Sequence, residues 1–88
     1  MTTYRLRRDS LTWLEADDEV VALDEDKAAY LSANASATVL WVALADGAAR
    51  DDLVERLVQS FGISADVAGA DVDAFLADLQ SRNLIEAV

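Results

Sequence analysis

The feature that most constrains the fold is a change of hydrophobic period at Asn34. Before it, apolar and polar residues alternate in short runs; after it, apolar residues recur at helical spacing. The side chains of a strand alternate faces every residue and those of a helix return every 3.6, so the two halves cannot share one kind of element. Strands must come first and helices second.

In the first part, residues 11–15 set Trp13 between Thr12 and Leu14, residues 20–23 are a β-branched run, and residues 28–32 carry Tyr30 and Leu31. Charge clusters at residues 15–19 and 24–27 separate them, which predicts a meander of three antiparallel strands. After Asn34, a good N-cap, Ala37, Leu40, Trp41 and Leu44 fall on one face of a first helix that Gly47 stops. A second helix starts with Asp51 and Asp52 against its dipole, places Leu53, Val54, Leu57, Val58 and Phe61 on one face, and stops at Gly62. The third runs from Ser64 or Asp66 to Arg82, and Leu84 and Ile85 form an apolar tail that closes the core. No linker or repeat interrupts the 88 residues, so the reading is a single α+β domain, residues 1–88, with helices packed on one face of a three-stranded antiparallel β-meander.

Composition then removes whole classes of function. The chain has no histidine and no cysteine, hence no thiolate nucleophile, no imidazole base and no sulfur or imidazole metal ligand. The acidic pairs Asp17-Asp18, Asp24 with Asp26, and Asp51-Asp52 fall in expected turns or a first helical turn, where solvation or capping accounts for them. Residues 24–26 lack the spacing and glycine of a calcium loop, and no glycine-rich phosphate turn is present. The expectation is a non-enzyme without cofactors. Seventeen acidic against seven basic residues give a formal charge of −10, which opposes binding to nucleic acid. The absence of cysteine, and of any apolar run of signal or membrane-spanning length, predicts a cytoplasmic protein that does not engage a membrane.

One tripeptide points elsewhere. Asp9-Ser10-Leu11 matches the attachment site of acyl and peptidyl carrier proteins, but Ser10 precedes a strand pattern instead of opening a second helix. The reading preferred for it is an exposed loop residue, and the carrier function is kept as a minor alternative.

The stretch VVALDEDKAAYLSANASATVLWVALADGA, residues 20–48, resembles the PqqD-like family of peptide-binding domains, also called RiPP recognition elements. The resemblance is carried by Leu23-Asp24, Tyr30-Leu31, Asn34, Trp41 and Asp46-Gly47, and continues through DLVERLVQSFG and ADVDAFLADLQSRNLIE. The chain departs from the family at Lys27-Ala28-Ala29, where a glycine turn is common, at Ala33 before Asn34, and at Ala48 or Ala49, where a threonine cap is common. The resemblance implies a winged helix-turn-helix-like fold that binds the leader segment of a ribosomally made precursor peptide. It also implies partner maturation enzymes, such as a leader peptidase and cyclase in lasso peptide pathways or a radical enzyme in others, with the lasso setting favoured by analogy. A winged-helix nucleic-acid-binding or regulatory domain is the alternative function.

In a three-stranded meander the third strand is an edge, so Ala28, Ala29, Tyr30, Leu31 and Ser32 are candidate peptide-binding residues. The family places the peptide in a groove shared with the third helix. There Ala68, Val72, Phe75 and Leu79 form the inward stripe and Leu76 lies to one side of it as a groove wall. Val72, Phe75, Leu76 and Leu79 are therefore the helical candidates for contact. Asp71, Asp73 and Asp78 flank the stripe as possible partners for basic leader residues.

Overall fold

A computed structural model describes residues 2–7, 11–16, 19–25 and 29–88 of the chain, with Ala16 and residues 29–33 described as backbone. In chain order the elements are β1 (Thr3–Leu6), β2 (Leu11–Ala16), β3 (Glu19–Asp24), β4 (Ala29–Ala33), α1 (Ala35–Asp46), β5 (Ala48–Ala49), α2 (Arg50–Phe61), α3 (Ala65–Ser81) and β6 (Ile85–Ala87). The expected meander is the sheet β2-β3-β4, antiparallel throughout. A second sheet, order β5-β1-β6, was not expected; it ties both ends of the chain to the turn between α1 and α2. Its strands are two to four residues long, too short to display a period.

Alternation on β3 sets the inner face of the meander: Val20, Ala22 and Asp24 are buried, whereas Glu19 and Val21 are exposed. Over that face lies α1, with Leu40, Trp41 and Leu44 in the core as expected. Trp13 on β2 meets Trp41 edge to face at 6.1 Å, so it packs on the first helix. The expected cap at Asn34 is present, and Ser64, the earlier of the two expected starts of α3, caps that helix. Asn34 Oδ1 accepts from the Ala37 amide at 3.0 Å, and Ser64 Oγ accepts from the Val67 amide at 3.2 Å. At α2, where Ala49 stands in the cap position, Asp52 Oδ2 accepts from the Ala49 amide at 3.3 Å. Asn34→Ala removes an acceptor that nothing nearby replaces, and a loss of about 1 kcal/mol in denaturant unfolding is expected.

Both glycine stops have positive φ, with Gly62 left-handed at 66° and Gly47 at 96° with extended ψ. The end of α3 uses Asn83 instead, at φ 58°. The Leu84 amide donates to Leu79 O at 2.9 Å and the Asn83 amide to Gln80 O at 3.0 Å, a Schellman closure. It turns Leu84, fully buried, back onto Leu79, so the apolar tail closes the core as expected and Ile85 continues it as β6.

Two core assignments are corrected. Phe61 ends α2 beyond the core and is 43% exposed, while Leu53 and Leu57 carry that helix's packing. On α3 the buried stripe runs Ala68, Val72, Leu76 and Leu79, and Phe75 is half-buried at its border. Leu76 lies one turn after Val72 and belongs to the core, whereas Phe75, offset from that stripe, packs against it only in part. At the third glycine, Gly69, a Cβ would come to 3.0 Å from the Arg50 guanidinium.

Candidate peptide-binding site

β4 pairs with β3 alone, in the register Val20↔Ala33 through Asp24↔Ala29, so its other side is an open edge among the described residues. Strand β2 forms the opposite edge. The register sets Tyr30 against Leu23 and Leu31 against Ala22. On a five-residue edge, alternate residues direct N–H and C=O outward, enough for about four or five bonds to an added strand. Ala28 and Ser10 lie outside the described residues.

The start of this edge is anchored by a contact absent from the sequence reading. Asp24, Cα partner of Ala29, is a buried carboxylate, and Arg7 Nη2 donates to its Oδ1 at 3.2 Å. This corrects its assignment to a solvated turn. The backbone of Arg7 also donates to Leu84 O at 2.7 Å, so one residue ties the meander to the chain end. Strand parity was the available signal: Asp24 follows Val20 and Ala22 at period two, which puts its carboxylate on the inner face, where a cation must meet it.

On α3, Val72, Leu76 and Leu79 are core residues, and the groove wall assigned to Leu76 is corrected accordingly. Phe75 is the one of the four candidate contacts that retains surface. Of the flanking carboxylates, Asp73 is held by Arg50, Nε donating at 2.6 Å and Nη2 at 3.1 Å, and Asp78 by Arg82 Nε at 3.1 Å. Asp71 is exposed and has no such partner among the described residues.

The hydrogen bond from Arg50 holds the Asp73 carboxyl below its usual range. Its contribution to stability is therefore complete above the ordinary carboxylate range and is lost as pH falls through the depressed value. Asp73→Asn should lower stability at neutral pH and remove that part of the acid dependence. Urea midpoints across the acid range check this, and parallel curves for the two proteins would refute it.

The family model for Coenzyme PQQ synthesis protein D (PqqD) matches residues 19–85. In three dimensions the chain is similar to TbiB1 in complex with the TbiA(beta) leader peptide, at TM-score 0.85 and 23% identity, covering 93% of this chain and 94% of that one. It is also similar to lasso peptide synthetase B1 complexed with the leader peptide, at TM-score 0.81 and 23% identity, covering 94% of this chain and 96% of that one. No curated protein sequence matches. With the family model covering most of its length, including both the β4 edge and α3, the chain belongs to the PqqD family.

Proposed function

We propose that this domain binds the leader segment of a ribosomally made precursor peptide as an added strand on β4 and presents the precursor to modifying enzymes, without doing chemistry itself. The observation that carries this is the open β4 edge, on a fold shared with two proteins whose structures hold leader peptides. A leader peptidase and cyclase of a lasso pathway fit best as partners, with radical enzymes second. Among the described residues no group of three metal-ligating side chains converges, and no helix is long and apolar enough to cross a membrane. The setting we propose is cytoplasmic.

The energetics require more than backbone pairing. Each of about four or five hydrogen bonds contributes roughly 0.5–1.5 kcal/mol, and association costs about 4–15 kcal/mol. Apolar leader side chains must supply the rest, at about 1.5–3 kcal/mol for each one fully buried. Of the α3 candidates, Phe75 is the one that keeps surface for them.

Titrating isotope-labelled protein with the leader encoded beside its gene should give saturable amide shifts concentrated at residues 29–33 and around Phe75. Shifts confined to other surfaces, or none at peptide excess, would overturn the proposal. Phe75→Ala is expected to weaken leader binding about tenfold, or ~1.4 kcal/mol. It should disturb stability less than Leu76→Ala, which opens a cavity in the core.

A further inference from the structure

A cleft of about 470 Å³ opens between α1 and α2 beside the end of β2. Its lining among the described residues comes from Ala35, Thr38, Val39 and Val42 on α1, Arg56 and Phe61 on α2, and Glu15 on β2, with none from α3. Phe61 is the residue that the core rejects, and its exposed ring forms an apolar wall with the half-buried Val39 and Val42.

The charge at this cleft is unusual for the molecule. Arg5, Arg7, Arg50 and Arg82 each engage a carboxylate, as expected where acidic residues outnumber basic ones. Arg56 engages none among the described residues, although Asp52 stands one turn before it on α2, in the order that favours such a pair. The neighbouring Glu55 accepts from Gln59 instead. A guanidinium with open donors beside a desolvating aromatic wall selects a planar carboxylate next to an apolar group. Glu15 on the same cleft repels a second negative charge.

We propose that this cleft is a second docking site, separate from the β4 edge, for a segment of a partner protein that presents a bulky apolar side chain beside a single carboxylate. The charge complementarity of Arg56 determines that chemistry, and Val39, Val42 and Phe61 supply the apolar contact. The site is independent of leader binding, so a scaffold built this way holds a peptide on one edge and a protein on another surface.

The probe is acetyl-Glu-Phe-amide, with acetyl-Gln-Phe-amide as the neutral control, each titrated into isotope-labelled full chain with and without leader peptide. The expected result is saturable shifts at residues 35–42 and 56–61, with a dissociation constant in the range of about 1 mM. The Gln probe should bind at least about fivefold more weakly, Arg56→Gln should remove that difference, and Phe61→Ser should weaken both probes. Arg56 and Phe61 are exposed, so neither change threatens the fold. Added leader should leave the affinity unchanged. Equal binding of the two probes, no saturation at this cleft, or displacement by leader would each overturn the proposal.

Discussion

Replacing Asp24 with alanine is expected to cost about 3 kcal/mol of folding stability, at the lower end of what breaking a buried ion pair costs. The side chain of Asp24 is 3% exposed and that of Arg7 18%, so the variant removes a carboxylate from a guanidinium that has only partial access to water. That partial access keeps the loss from being larger. For a domain of this size the loss corresponds to a fall of roughly 12 °C or more in midpoint. The effect should extend beyond the ion pair, because Asp24 ends β3 opposite the first residue of β4 and Arg7 holds Leu84 through its backbone. A double variant, Arg7→Met with Asp24→Leu, separates the causes. Apolar replacement of both partners is often neutral, so it should recover most of the loss if the cause is keeping the Arg7 charge without the Asp24 carboxylate. Thermal and urea unfolding of the three proteins decides the matter; a single variant within about 1 kcal/mol of wild type would show that the contact contributes little.

The same residue shows how far the sequence could be read. The period change at Asn34 located the boundary between strands and helices, and the cap at Asn34 followed from local chemistry that needs no partner. The strands of the second sheet were not legible, since a segment of two to four residues is too short to display a period and pairs only with residues remote in the chain. On α3 the periodicity placed a stripe but not its centre. Choosing between Phe75 and Leu76 depends on what packs against the helix, and hydrophobicity favours both. At Asp24 the charge cluster suggested a turn, while strand parity pointed inward and prevailed because Arg7, just past the end of β1, pairs with it. The open edge of β4 was legible from connectivity alone, because the last strand of a meander has one neighbour unless something else covers it.

That edge gives the second large effect, and strand geometry makes it testable. Adjacent residues of an edge strand direct their N–H groups to opposite sides, so of Tyr30 and Leu31 one donates toward β3 and the other outward. Proline removes a donor and is tolerated only where that donor faces away from the sheet. Of the variants Tyr30→Pro and Leu31→Pro, one should therefore lose stability by breaking a bond to β3. The other should keep its amide spectrum and melting behaviour yet lose leader affinity by at least about thirtyfold, or ~2 kcal/mol, since the missing donor and the pyrrolidine ring both obstruct an incoming strand. The parity also applies to the ligand: N-methylation of alternate leader amides should weaken binding at every second position and spare those between. If the folded proline variant binds leader with wild-type affinity, strand addition at β4 is wrong, and any leader binding must rest on side chains at another surface. If it fails to bind while acetyl-Glu-Phe-amide still titrates the cleft beside Phe61, the two surfaces act independently, as expected of a domain that brings a peptide and a protein together.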